Sequence, residues 1–321
     1  MRRRNFLALM AAAVSWPKRA AAQIAKPRRI GLMANLPLPP IQRFVQKLTQ
    51  LGYVEGNNII IEYRFGEGRD DRFPAFAAEL VALPVEVIVV WGNPAAFAAK
   101  RATTTIPILI GAAGDVVNTG LIASVAHPES NLTGFVALNV ELEEKRVELL
   151  REVIPNLSRV AVLANSSNPL GRVNLDTVHR AAQRLGVTVE VFDARNSQDV
   201  GSALAEVKAS QPDAALVAAD TLLLSERRQI TEMMAASRIP AIYAFKEFSD
   251  ADGLLSYGAD LSVLFERAAD YLNRLLQGEK PGNLPVQQAT TFELIINLKA
   301  ASALGLTIPA DVLIQANEVI E

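Results

Sequence analysis

Short apolar, β-branched runs alternate along the chain with longer Ala- and Leu-rich amphipathic stretches. This alternation predicts parallel strands joined by helices. The pattern is written twice. Residues 29–37 (RIGLMANLP) and 159–169 (RVAVLANSSNP) read as the same strand and loop, offset by 130 positions. Second strands are predicted at 58–63 and 187–192, and third strands at 85–90 and 214–218, each pair offset by 129. Fourth strands begin near Ile106 and Ile239, offset by 133. A helix ends at Leu51-Gly52 in one half and at Leu185-Gly186 in the other, with Gly as the terminating residue. Four matching elements at a nearly constant offset predict an α/β protein of two similar Rossmann-like lobes rather than one open sheet.

In such lobes ligands bind outside the carboxyl ends of the parallel strands, so one cleft between the lobes is the expected site. The loops predicted to line it supply Asn35, Pro37, Gly92, Asn93, Ala113 and Asp115 from the first half. From the second half they supply Asn165, Asn168, Asp220, Thr221 and Tyr243, with Tyr257 added as an aromatic wall. Asn93-Pro94 and Asn168-Pro169 have the order of a helix cap followed by Pro, and Gly92 lets backbone approach closely. The N–H groups of such helix starts suit a ligand carboxylate or hydroxyl. Asp115 and Asp220, read as equivalent loop ends, suit a ligand amine or hydroxyl. Trp91, Phe135 and Phe245 are other aromatics near strand ends, most of them expected in the core. Lys246-Glu247 reads equally as a surface pair, His179 as a residue on a helix surface, and His127 as a loop residue.

Length and composition narrow the classes. A chain of 321 residues, half of them hydrophobic, is long enough for two cores. It has no Cys, which excludes disulfides and thiolate chemistry, and its two His argue against a multi-histidine metal site. The net charge of −2 carries no basic surplus for nucleic acid. No G-x-G-x-x-G follows the first strand, and neither a Walker loop nor a G-x-S-x-G elbow occurs. The expectation is therefore a chain with no catalytic residues, no metal and no cofactor.

The first residues read as an export signal. Arg2-Arg3-Arg4 precedes the apolar run 6–14 (FLALMAAAV), and Ala20-Ala21-Ala22 forms an A-x-A site with cleavage after Ala22. Arg3-Arg4-Asn5-Phe6-Leu7 also resembles a twin-arginine signal, so both export routes stay open. Residues 1–22 hold five basic residues and no acidic ones, so their removal takes the net charge from −2 to −7. No later apolar stretch reaches the roughly 20 residues a membrane span needs, and no Cys stands at the cleavage point for a lipid anchor. A free protein in the periplasm, without stable membrane insertion, is expected.

Several motifs carry a family resemblance. They include residues 51–58 (LGYVEGNN), the strand 59–64 (IIIEYR), Gly134-Phe135, residues 241–243 (AIY) and 253–258 (GLLSYG). The stretch 292–299 (FELIINLK) with 303–309 (ALGLTIP) completes them. Over residues 27–321 the chain resembles ABC-transporter substrate-binding proteins of the tryptophan/tyrosine-uptake type, which have the type I periplasmic binding protein fold. The resemblance implies a receptor, monomeric in most cases, that closes on a small molecule and docks on a membrane permease. It also implies a hinge of three crossings, placed near Gly134, near 254–257 and near 284–287. Lobe one would then hold 27–134 plus 257–283, and lobe two 135–256 plus 284–321. Known ligands in the family are chiefly aromatic amino acids, while the apolar loop 36–40 (LPLPP) suits an aromatic or apolar acid as well. The rival readings are a periplasmic sensor for a receptor and a two-domain enzyme such as a glycosyltransferase.

Overall fold

The computed structural model describes residues 26–126, 128, 131–137 and 139–321. The expected export segment and His127 lie outside the described residues. Five strands come first: β1 (Arg28–Ala34), β2 (Ile59–Phe65), β3 (Val87–Trp91), β4 (Ile108–Ala113) and β5 (Leu132–Val136). Five more follow: β6 (Arg159–Ala164), β7 (Thr188–Asp193), β8 (Ala214–Val217), β9 (Ala241–Tyr243) and β10 (Leu255–Ala259). The chain then adds β11 (Gln287–Gln288), β12 (Phe292–Asn297) and β13 (Glu318–Ile320).

These strands form two sheets. The first runs β11-β5-β4-β3-β1-β2 and the second β13-β12-β10-β9-β8-β6-β7. The shared inner order is β4-β3-β1-β2 in one and β9-β8-β6-β7 in the other, so the repeat in the sequence is a repeat in space. All pairings are parallel except β10 with β12. Parallel strands covered on both faces read as continuous apolar runs. The five residues of β3 are accordingly all buried.

One helix crosses the order of the sequence. The helix Pro39–Gln50 buries Ile41, Phe44 and Leu48, spaced to share one face. Its partner is the late helix Leu261–Leu276, with the rings of Phe44 and Phe265 edge to face at 6.4 Å. The chain therefore leaves the second sheet and returns to cover the first.

The chain passes from the first sheet to the second after Val136, returns at Asp260, and crosses again at residues 289–291. Each point lies a few residues beyond its expected position. The ladders explain the difference: β10 stays paired with β12 up to Ala259, and Gln287 and Gln288 still pair with Phe135 and Val136. The crossings are tied to one another. Asp260 N–H donates to Thr291 O at 3.1 Å, and Ala289 N–H to Val136 O at 2.8 Å.

Gly134 in β5 has φ +133, and a Cβ there would lie 2.1 Å from the backbone oxygen of Ile110 in β4. Neither the conformation nor the space admits a side chain. Gly134→Ala is expected to lower the unfolding free energy by about 3 kcal/mol or more. Urea titration followed by circular dichroism checks it, and an unchanged midpoint would refute it.

Candidate functional site

In each sheet the chain turns in opposite directions from two neighbouring strands, β1 and β3 in the first and β6 and β8 in the second. Such switch points leave a crevice at the carboxyl ends of the strands. Asn35 and residues 91–93 stand at one crevice, and Asn165 and residues 219–221 at the other. The two face each other and touch. Asn35 Nδ2 donates to Thr221 Oγ1 at 3.1 Å. Gly92, at φ +87, brings its backbone so close that a Cβ would lie 2.9 Å from Thr221 Cγ2. A Cβ on Gly114 would lie 2.2 Å from Leu170 Cδ2. The inner part of the cleft is thus closed, while an outer cavity of about 860 Å³ stays between the lobes, lined among others by Asp70, Arg101, Ser197 and Gln198. In the inner part a cavity of about 20 Å³ remains, lined among others by Trp91, Ala113, Asn168, Asp220, Phe245 and Leu261. A second of about 10 Å³ lies between Asn35, Leu36, Trp91, Thr221 and Leu224.

Two carboxylates set the electrostatics of the inner cleft. Asp220 caps the helix Thr221–Ser225, accepting from Leu222 N at 2.8 Å and Leu223 N at 3.0 Å. Its other oxygen accepts from Asn168 Nδ2 at 2.7 Å and Asn165 Nδ2 at 3.2 Å. Burial pushes its carboxyl up, and these hydrogen bonds pull against it. Asp70 comes from the other lobe, on the 3-10 turn Asp70–Arg72, and accepts from Asn35 Nδ2 at 2.9 Å. Burial, and then the charge of Asp220, push it up to about 6. Asp70 Oδ2 and Asn35 Oδ1 are buried without a hydrogen-bond partner among the described residues. Among the described residues no Lys, Arg or His lines either inner cavity, whereas Arg69, Arg101 and Arg195 line the outer one with Asp70. The inner arrangement presents acceptors and negative charge, beside apolar walls.

Eight of the expected residues meet at the cleft or directly support it: Asn35, Gly92, Asn93, Ala113, Asn165, Asn168, Asp220 and Thr221. Asn168 caps the helix Pro169–Leu185 as expected, accepting from Leu170 N at 3.0 Å. Asn93 differs. Gly92 holds the cap position of the helix Asn93–Ala102, because its positive φ turns the chain one residue earlier. The Asn93 amide is spent on the next loop instead, donating to Gly114 O at 3.1 Å and accepting from Gly114 N at 2.9 Å.

Four expected residues stand elsewhere. Pro37 is exposed. Asp115 closes a local turn, accepting from Asn118 N at 2.9 Å. It follows β4, the counterpart of β9, whereas Asp220 follows β8, the counterpart of β3, so the two are not equivalent. Tyr243 is still inside the ladder, opposite Val217, and stacks on Phe248 at 4.5 Å. It lines a separate pocket of about 270 Å³ with Met234, Ile239 and Leu254. Phe245, just beyond the strand end, reaches the cleft in its place. Tyr257 lies within β10 and lines neither cavity.

Asp70 is not among the residues expected at the cleft; it stands five residues past the end of β2, on the turn Asp70–Arg72. Its only signal is an acid shortly after a strand end. His179 is exposed, its Nδ1 2.8 Å from Leu175 O. Lys246 pairs with Glu318, while Glu247 is buried.

The comparisons agree on one group of proteins. A family model described as ABC transporter substrate binding protein matches residues 41–320. A tyrosine-binding protein of Clostridioides difficile (strain R20291) is 26% identical over 289 residues, covering 88% of this chain and 82% of that protein. A solved conserved domain protein of Vibrio cholerae O1 biovar El Tor is 28% identical, with a TM-score of 0.85 over 92% of this chain and 100% of that one. An ABC domain in complex with L-Trp from Streptococcus pneumonia is 26% identical, with a TM-score of 0.82 over 91% of this chain and 100% of that one.

The environment of Asp70 sets a pH dependence. Its carboxyl titrates near 6 when folded and in the ordinary range near 4 when unfolded. Between those values the folded state holds the extra proton, so this group makes stability fall as pH rises through the window. Asp70→Asn is expected to shrink the loss of unfolding free energy between pH 4.5 and 7.5 by about 1–2 kcal/mol. Denaturant titrations at the two pH values measure it. An undiminished loss in the variant would contradict the assignment.

Proposed function

The chain belongs to the family of ABC transporter substrate binding proteins, and from that premise we propose that it takes up an aromatic amino acid or a close aminated aromatic solute. Members of this family bind a small molecule for a membrane permease, and the chain is the solute-binding component of such an importer, not an enzyme. The relatives named for tyrosine and L-Trp support the substrate class. The observation that carries the reading is Asp220 beside Trp91 and Phe245, with Asn35 beside Trp91 and bonded to Asp70, whose carboxyl feels the charge of Asp220. A ligand ammonium satisfies these acceptors, and an aromatic body covers the apolar walls. The helix Asn93–Ala102 has no side-chain cap, so its first N–H groups suit the ligand carboxylate.

Mechanism follows from the space. Ligand sites typically occupy roughly 300–1,000 Å³; the outer cavity of about 860 Å³ is that large, while the inner ones beside Asp220, Trp91 and Phe245 are about 20 and 10 Å³. Solute that reaches Asp220 from the outer cavity therefore requires the lobes to part about their crossings, and binding energy is gained as they close. A ligand that contacts both lobes shifts the balance toward the closed form by its differential affinity. The closed form then presents one surface made of both lobes to the permease. We place the protein in the periplasm as a monomer. The export-like start supports this, and among the described residues no helix is long and apolar enough to cross a membrane.

Thermal shift and calorimetry on residues 23–321 test the proposal. L-tryptophan or L-tyrosine should raise the melting temperature, by mass action worth about 2.7 kcal/mol at a hundredfold excess over Kd. Their deaminated acids should not. Asp70→Asn and Asp220→Asn should each weaken binding at least tenfold. Folded protein that ignores every aminated aromatic, or binding that survives both substitutions, would overturn the reading.

A further inference from the structure

A second charged constellation lies behind the cleft. Glu143 and Arg146 stand one turn apart on the helix Asn139–Val153, both wholly buried, with Nη1 2.8 Å from Oε1. Glu143 lies one turn into the helix that receives the first crossing. Arg146 Nε donates to Tyr257 O at 2.7 Å, in the strand that ends just before the second crossing at Asp260. Glu143 Oε1 accepts from Ala219 N at 3.5 Å, the residue before Asp220. Asn174 Nδ2 reaches the other side of that residue, 3.5 Å from Ala219 O. One ion pair therefore ties the helix after the first crossing and the strand before the second to the loop that carries a cleft carboxylate.

Net stability does not explain such a pair. Taking both charges out of water is costly, and apolar residues of similar volume often replace buried ion pairs at no loss. Burial pushes the Glu143 carboxyl up, against the pull of the Arg146 charge, and Glu143 Oε2 has no hydrogen-bond partner among the described residues. What a buried ion pair supplies that Leu and Met do not is direction: each hydrogen bond fixes one element relative to another.

We propose that Glu143 and Arg146 are positioning residues, which lock two of the three hinge crossings to the Asp220 loop and thereby set the angle at which the lobes meet. The proposal rests on the cleft being the solute site, since it gives the pair a role in closure. Hinge ends that are free to tilt independently of that loop would let the lobes meet at many angles. A pair that serves only the packing of the second lobe would leave the angle between lobes untouched.

The chain has no Cys, so labels can be placed at will. Arg101 and Gln198 are exposed and line the mouth of the cleft from opposite lobes. Spin labels on R101C and Q198C report the interlobe distance by double electron–electron resonance. The expected result is a distribution at least twofold broader in Glu143→Leu/Arg146→Met than in the labelled parent, with both proteins folded and their Tm within a few degrees. An unchanged distribution in the folded double variant overturns the proposal. Where that variant fails to fold, Arg146→Lys replaces it. It keeps the charge but offers one nitrogen in place of the Nε and Nη1 that reach the Tyr257 carbonyl and Glu143 separately, and the same two outcomes apply. The distance readout needs no ligand. Failure of the parent to bind L-tryptophan or L-tyrosine therefore counts against the solute class alone, and leaves the test of the pair standing. Where the parent does bind, Kd should rise about tenfold in the double variant.

Discussion

Asp70 and Asp220 repel, yet separate lobes carry them into the same cleft. Burial raises both, and the charge of Asp220 adds to the rise at Asp70. Asn35 mediates, donating to Asp70 and to Thr221 from one amide nitrogen while its oxygen stays without a partner among the described residues. An inner cleft built this way is closed but unsatisfied, and a positively charged donor removes both the repulsion and the orphaned acceptors. The rest of the molecule serves to bring these groups together and let them separate. Two sheets of the same inner order aim their switch points at each other. Glycines at 92 and 114 remove the side chains that would hold the lobes apart.

Separation needs a hinge, and the hinge is narrow. Three crossings join the lobes, held to one another by backbone hydrogen bonds such as Asp260 to Thr291 and Ala289 to Val136. Short connections between packed units can absorb the dihedral changes of domain closure, which suits a motion that opens one cleft. The helix Leu261–Leu276 returns across this hinge to pack on Pro39–Gln50, so the first lobe depends on residues far along the chain. The lobes are thus not independent beads on a string, and closing them moves preformed units.

The architecture was legible because its signals are long and doubled. Apolar runs at constant offsets fix the strands, and the two matching helix ends at Gly52 and Gly186 fix their connections. The site was only half legible, for local reasons. Asn93 looks like a cap in sequence, but the positive φ of Gly92 takes that place and frees its amide for Gly114. Tyr243 and Phe245 are both aromatics by a strand end, and only the end of the β9 ladder decides which one reaches the cleft. Asp70 owes its position to a 3-10 turn and its meaning to Asp220, 150 residues away in the other lobe. Pairing across the cleft leaves no mark in any one segment. The crossings shifted by a few residues because ladder length depends on the partner strand.

The central claim is that solute is held between lobes that must part and close. Small-angle X-ray scattering on residues 23–321, with and without saturating L-tryptophan or L-tyrosine, tests it most directly. The account predicts a larger radius of gyration without ligand and, with ligand bound, a profile that matches the closed structure. Ligand that binds while the scattering profile stays the same would contradict it.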